Sequence, residues 1–223
     1  MQRTKMSMIV VAGAAVVISA GAATAAEASP AVTHTATVKV PGVVGDAQAT
    51  AYGKIDQAGL KPKMSATTHP VAGEILYVVS QAPAGGGEAV KGATVTVTSL
   101  TFNQKAAAYA LTLRGVPYLY GGTTKQGFDC SGLTQYVYNH GGRQIVRTSN
   151  EQFHEFRNES HAQAQPGDLV FFHDTSNLQS AVYHVGVFEG GTEMVAATHT
   201  GSDVQEQSYL WGGNTVSFGT VSH

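Results

Sequence analysis

Hydrophobic and polar positions change their spacing along the chain, and each spacing predicts an element. Over residues 47–58 apolar side chains fall on one helical face, between the candidate N-cap Asp46 and the stop signal Gly59. The segments EILYVVSQ and ATVTVTS follow, the second alternating with period two. They predict two strands separated by a turn-rich stretch. The first part of the chain is therefore expected to form one short helix and a small sheet that ends near Ser99.

The second part of the chain begins with helical spacing and ends with strand spacing. NQKAAAYALTLRG predicts a helix from the candidate cap Asn103 to Gly115, another helix is expected to open at Cys130, and Ser149 with Gln152 has the pattern of a capping box. DLVFFH, YHVGVFE and TEMVAATH predict strands, with a tight turn at Gly190-Gly191 between the last two. Helices followed by strands favour an α+β fold with one sheet packed against helices.

The first 26 residues have the layout of an export signal. Arg3 and Lys5 precede an uncharged apolar run from Met6 to Ala26 that ends on small residues. The alternative is a retained membrane anchor, since the run approaches the ~20 residues that span a bilayer, but Ala, Gly and Ser dilute its second half. We expect a signal peptide over 1–26, a linker over 27–37, and a secreted or wall-associated mature chain without stable membrane insertion.

Composition narrows the classes of function and the sources of stability. Of the 223 residues 13% are charged and the formal net charge is -2, which gives no electrostatic case for binding nucleic acid. The chain has one cysteine and therefore no internal disulfide. Its stability must come from ordinary hydrophobic cores.

The single cysteine, Cys130, lies where a loop is expected to become a helix. Unpaired backbone amides and the helix dipole favour a thiolate there, which predicts a lowered thiol pKa. His184, inside an apolar strand, is the best candidate for a partner base. On these residues alone the other interpretation stays open, in which Cys130 is a small core residue and His184 a packed one. HEFRNESH lacks the spacing of a zinc protease, and neither a metal nor an organic cofactor is expected.

Five segments follow one another over residues 103–200: RGVPYLYGG, FDCSGL, RTS with Gln152 after it, QPGDLVFF and HVGVF. In this order they resemble the signatures of the NlpC-type cell-wall cysteine peptidases. The resemblance implies a papain-like domain over 101–223, in which helices pack on an antiparallel sheet. It also implies that Cys130 attacks a peptide carbonyl with His184 as base and then acid. The implied substrate is the stem peptide of peptidoglycan, cut between D-glutamate and the following diamino acid.

The same resemblance extends to other positions. Asp129, Ser131, Tyr118 and Ser149 are candidate substrate contacts, although helix capping and turn packing would also account for several of them. The family places a third polar residue on the next strand to orient the histidine, and here Ala196 occupies that place. His199 could take the role if a bulge turned it to the same face. The competing hypothesis is a Cys-His dyad steadied by a backbone carbonyl.

Residues 38–99 resemble a PASTA domain, through VPGVVG, AGL, SQAPAG and GATVTV in order. The resemblance implies a small α+β module with a three-stranded sheet that either binds peptidoglycan fragments or acts as a spacer. The leading hypothesis is thus a secreted peptidoglycan endopeptidase. The alternatives are a catalytically weak or inactive wall-binding protein, and an amidase or acyltransferase on the same fold.

Overall fold

The computed structural model describes residues 35–65, 74–176, 178 and 181–221. The predicted signal peptide and most of the predicted linker, residues 1–34, lie outside these ranges. Within them, no helix combines the length and the apolar character needed to cross a bilayer.

Residues 37–100 form one helix and five strands: β1 Thr37–Lys39, α1 Gln48–Gln57, β2 Lys61–Met64, β3 Tyr77–Ala82, β4 Glu88–Val90 and β5 Thr94–Leu100. Strand β5 is the centre of a three-stranded sheet, parallel to β2 and antiparallel to β3, while β1 pairs with β4. Helix α1 buries Ala51 and Ile55 in a core with Val40, Val78 and Val95.

The sequence predicted where α1 begins and where it ends. Gly59 has a φ of +75°, so the stop predicted from this glycine is confirmed. The predicted cap at Asp46 is wrong, because Ala47 is the N-cap residue and no side chain caps the helix. Asp46 instead forms an exposed ion pair with Lys54 at 2.8 Å.

Residues 102–219 form three helices and eight strands: α2 Phe102–Leu111, β6 Thr123–Thr124, β7 Gly127–Phe128, α3 Cys130–His140, α4 Ser149–Phe156, β8 Arg157–Glu159, β9 Leu169–His173, β10 Val182–Gly190, β11 Glu193–Ala196, β12 Gln205–Ser208 and β13 Thr215–Gly219. Six strands make one antiparallel sheet in the order β12-β11-β10-β9-β13-β8. The predicted helix start at Cys130 and the three predicted strands are confirmed.

The two faces of this sheet carry different cores. Leu133, Val137 and Phe153 from the helices pack with Phe171 and Val185 in the larger core. On the opposite face a smaller core contains Phe172, Phe188, Met194, Ala196 and Phe218, among others. Helices packed on one antiparallel sheet confirm the α+β class.

Two predicted caps in this part are displaced by one or two residues. Thr101, not Asn103, caps α2, in a reciprocal box with Gln104. Asn103 is buried and donates to Asp168 at 2.7 Å. Helix α4 is capped by Thr148 with Glu151 rather than by Ser149 with Gln152. The sequence TSNEQ contains two overlapping capping patterns, Thr148 with Glu151 and Ser149 with Gln152. The side chains of Ser149 and Gln152 form tertiary contacts instead of capping the helix.

Candidate active site

The lone cysteine is the first residue of α3. Asp129 precedes it as the N-cap, with extended backbone angles, and its carboxylate accepts a hydrogen bond from the Gly132 amide at 2.7 Å. Cys130 is half-buried and its thiol is free. The local sequence therefore places a nucleophilic side chain at the amino end of a capped helix, where the backbone amides are unpaired.

Two glycines let a loop lie directly on the first turn of this helix. The Gly122 carbonyl accepts a hydrogen bond from the Asp129 amide at 3.1 Å. A Cβ atom at Gly132 would collide with that carbonyl oxygen, and one at Gly122 would collide with the carbonyl of Gly127. The glycines of the YGG and DCSG segments are thus required by close backbone contact, which fixes the loop around the thiol.

Arg147 fixes the Asp129 carboxylate from the other side. Its Nη1 and Nη2 donate to Oδ1 and Oδ2 of Asp129 at 3.0 and 2.6 Å, and Nη1 also donates to the Ser131 hydroxyl at 2.8 Å. The Gly121 amide donates to the same carboxylate at 3.0 Å. Because its lone pairs are occupied by protein donors, Asp129 positions the helix rather than offering a free acceptor in the cleft.

The thiol rests against strand β10. Cys130 packs on the larger core, which contains Val185 of this strand, and the backbone N–H groups of Val185 and Ser131 act to lower the thiol pKa. Burial and then the charge of Asp129 act more strongly in the other direction and raise the thiol pKa. The lowered thiol pKa expected from the helix start is therefore wrong, because desolvation outweighs the effect of the amides at this position.

His184 immediately precedes Val185, so the strand that contacts the thiol also carries the imidazole. His184 is buried, and burial lowers its pKa to about 4. Its ring lies 5.1 Å from the ring of Phe172, the residue opposite it on β9. Both pKa shifts favour the uncharged forms, the thiol of Cys130 and the neutral imidazole of His184.

The position that would orient this imidazole is apolar. Val187 pairs with Val195 and Phe188 with Met194, which sets Ala196 opposite Gly186, on the face that carries His184. Nε2 of His184 is buried and has no hydrogen-bond partner among the described residues. The alanine at this place offers no polar side-chain atom to that ring nitrogen.

His199 does not fill the gap. It is exposed in the turn after β11, and its Nδ1 contacts the Thr200 carbonyl at 3.0 Å. His199 was predicted to orient His184, but no hydrogen bond joins the two described side chains. The turn directs the His199 ring toward its own backbone. The competing hypothesis, a dyad steadied by a backbone carbonyl, stays a prediction; among the described residues no carbonyl bonds to Nε2.

The remaining predicted residues surround the cleft. Tyr118 pairs through its backbone with Phe128, two residues before Cys130, and burial, then the charges of Cys130 and Asp129, raises its pKa. Ser131 is buried and bonded to Arg147. Ser149 donates to the Val182 carbonyl at 3.1 Å and so ties α4 to the start of β10.

Gln152, predicted to form part of a capping box and of the RTS signature, is a positioning residue. It is fully buried, accepts from Thr134 at 2.8 Å and donates to the carbonyls of Ser131 and Val146 at 3.1 and 2.9 Å. It thereby holds the first turn of α3 against the segment that carries Arg147. In the sequence, the RTS segment followed by Gln152 was the pattern that could have identified both Arg147 and Gln152.

Residues 115–218 match the sequence model of the NlpC/P60 family. This stretch of the chain is therefore similar to NlpC/P60 domains, and it includes Cys130, His184 and nearly all of the six-stranded sheet.

Curated relatives support the same assignment. The chain is 40% identical over 108 residues to the probable endopeptidase p60 of Listeria grayi, covering 48% of this chain and 20% of that protein. It is 35% identical over 125 residues to the bifunctional muramidase/DL-endopeptidase CwlT of Bacillus subtilis (strain 168), covering 55% and 38%. The chain thus spans well under half the length of these relatives.

A solved structure shares the fold. An NlpC/P60 family protein from Bacillus cereus ATCC 10987 superposes with a TM-score of 0.50 at 20% identity, covering 70% of this chain and 52% of that one. At this identity the similarity shows the fold.

Proposed function

We propose that this protein is a peptidoglycan endopeptidase with Cys130 as nucleophile and His184 as base. The observation that carries the proposal is the packing of Cys130, the first residue of α3, against the core that contains Val185, the residue after His184. The relatives' names, endopeptidase and DL-endopeptidase, support hydrolysis of a peptide bond in the wall.

The reaction begins from a neutral pair. His184 accepts the thiol proton as Sγ bonds to the substrate carbonyl carbon, and the imidazolium then gives that proton to the leaving nitrogen as the C–N bond breaks. A thioester and a free amine result. In the second half, His184 takes a proton from water while the hydroxyl attacks the thioester, and the acid leaves as the thiol is reprotonated. The backbone amide of Cys130, unpaired at the helix start, is available for the oxyanion.

The scissile bond proposed is that between D-glutamate and the diamino acid of the stem peptide. Tyr118, Ser131 and Ser149 are proposed to line the cleft for the acyl side. Asp129 is proposed to act through the helix it caps, since four protein donors already contact its carboxylate.

In this proposal, the two segments before the catalytic domain bring it to its substrate in the wall. Residues 1–26 act as a signal peptide for secretion, and residues 38–99 act as a PASTA-like module. If that module binds the wall, it raises the local concentration of the catalytic domain on an insoluble substrate.

The test compares the mature protein with Cys130→Ala on purified peptidoglycan, with released fragments identified by mass spectrometry. Fragments ending in D-glutamate that disappear in the variant support the proposal. Fragments cut at the sugar to peptide linkage indicate an amidase instead.

A second candidate is a wall-binding protein without activity, and the unsatisfied Nε2 beside Ala196 favours it. It predicts that both proteins sediment with peptidoglycan and that neither releases fragments.

A further inference from the structure

Two exposed aromatic rings stand beside His184 on the smaller-core face of the sheet. Tyr183 and Trp211 are 45% and 47% exposed, although large aromatic side chains are usually well buried. Both rings, like that of His184, pack on the buried Phe172, at centroid distances of 6.3 Å for Tyr183 and 5.9 Å for Trp211. The imidazole and the two exposed rings therefore share one neighbour.

Hydrogen bonds hold these rings in place. The Tyr183 hydroxyl donates to Asn214 Oδ1 at 2.8 Å, and Asn214 Nδ2 donates to the Trp211 carbonyl at 2.7 Å. Because β9 lies between β10 and β13, the Tyr183 side chain spans β9 to reach Asn214. Exposed rings that are fixed before a ligand arrives lose little entropy on binding it.

A carboxylate adjoins the rings. Asp174 is exposed, and its amide donates to the Ala181 carbonyl at 3.3 Å, next to the start of β10. It directly follows His173, which pairs with Val182, the neighbour of Tyr183, and its charge contributes, after burial, to the raised pKa of Tyr183. Asp174 forms none of the ion pairs found in the described part of the chain. Aromatic faces near a carboxylate are complementary to an ammonium group.

The direction of proton transfer determines which part of the substrate contacts the surface formed by the two rings and Asp174. The imidazolium must reach the leaving nitrogen, so the residue that supplies the amine lies on the His184 side of the thiol. On the proposed function, that residue is the diamino acid.

We infer that Tyr183, Trp211 and Asp174 form the subsite for the side chain of the departing diamino acid. The methylenes of that side chain pack on the two rings, and its free ammonium binds the ring faces and the carboxylate. This subsite rests on the proposed function. Acylation of the ammonium in a cross-link removes its charge, so the site selects stem peptides that are not cross-linked through this residue.

The kinetic test uses L-Ala-γ-D-Glu-L-Lys and the same peptide with norleucine in place of lysine, which keeps the methylenes and lacks the ammonium. The wild-type kcat/KM is expected to be about tenfold higher for the lysine peptide. Trp211→Leu and Asp174→Asn reduce this ratio to near one. Asp56→Asn, an exposed substitution on α1, leaves the ratio unchanged. A wild-type ratio near one, or a ratio unchanged in Trp211→Leu and Asp174→Asn, overturns the subsite.

A binding test separates this inference from the proposed function. Trp211 is the only tryptophan of the 223 residues, so intrinsic fluorescence reports directly on the subsite. Cys130→Ala is titrated with each peptide, with and without Asp174→Asn. A dissociation constant about tenfold lower for the lysine peptide, lost with Asp174→Asn, supports the subsite even if the wild type cleaves neither peptide. Equal constants, or no change in fluorescence, overturn the subsite even if cleavage depends on Cys130.

Discussion

Arg147 and Asp129 form a forked ion pair with N–O distances of 3.0 and 2.6 Å, and Asp129 is the residue immediately before Cys130. Asp129 caps α3 at the same time, so the guanidinium helps to set the position of the first residue of that helix. Arg147 also neutralises the carboxylate whose charge raises the thiol pKa. It is thus a positioning residue for Cys130.

Arg147→Lys keeps the charge but loses the fork, because an ammonium cannot make two parallel contacts. We expect kcat/KM on a stem peptide to fall about tenfold or more and the thiol pKa to rise further. Peptide hydrolysis and the pH dependence of Cys130 alkylation measure the two effects. Arg114→Lys, which alters an exposed pair with Glu206, is the matched control and should change neither. Wild-type values of both quantities in Arg147→Lys would contradict the positioning role.

The uncharged forms of Cys130 and His184 predict how the reactivity of the thiol changes with pH. Burial raises the pKa of Cys130 and lowers that of His184 to about 4, and both shifts oppose a thiolate-imidazolium pair. The alkylation rate of Cys130 should rise with pH toward a midpoint above the ordinary thiol value of ~8.5. His184→Ala should leave this profile nearly unchanged while abolishing hydrolysis. A reactive plateau near neutral pH that depends on His184 would refute this description.

Ala196→His tests whether the unsatisfied Nε2 of His184 limits the rate. Ala196 is a diagonal neighbour of His184 on the same face, a separation of ~7–8 Å that a long side chain can bridge. A hydrogen bond to Nε2 stabilises the imidazolium, so the pKa of His184 should rise from about 4 and kcat should increase about tenfold. The pH dependence of kcat measures both.

Ala196→Leu is the control for this substitution, since it adds comparable volume to the same core without a polar atom. It should lower stability by ~1–3 kcal/mol and leave kcat at or below the wild-type value. Equal gains from both variants would mean that packing, and not the hydrogen bond, is responsible.

A buried carboxyl away from the cleft predicts a pH-dependent stability. Burial, then the charge of Glu206, raises the pKa of Glu189 to about 8, against the opposing charge of Arg114. The folded state therefore keeps a proton that the unfolded chain has lost, and this stability is full below pH 4.5 and declines as the pH rises to 8.

Glu189→Gln imitates the protonated form. At pH 7 it should raise the free energy of unfolding by ~2 kcal/mol, with little difference at pH 5. Urea denaturation at the two pH values measures this, with Glu155→Gln on the exposed side of α4 as control. The same pH dependence in Glu189→Gln and wild type would contradict the raised pKa.

Local signals in the sequence predicted the elements that carry the site. The start of α3 at Cys130 follows from a capping aspartate and a break in polarity, and β10 follows from an apolar run around His184. Strands β12 and β13 escaped prediction because QEQS and TVSFG are short and only partly apolar. The caps at Asp46, Asn103 and Ser149 were misplaced because several residues within one turn have capping chemistry, and tertiary contacts choose among them.

The properties that depend on contacts between distant segments could not be read from spacing. Arg147 meets Asp129 across 18 residues of sequence, and Gln152 reaches the Ser131 carbonyl across 21. The direction of the thiol pKa shift depends on how deeply the sheet and helices bury Cys130, which the helix-start argument omits.

The most direct test of the central claim is the hydrolysis of a synthetic stem tripeptide, followed by mass spectrometry, with wild type, Cys130→Ala and His184→Ala. The account predicts that the wild type releases L-Ala-D-Glu and the free diamino acid, and that both variants lose at least a thousandfold of that rate. Release of the same products by Cys130→Ala at the wild-type rate would contradict it.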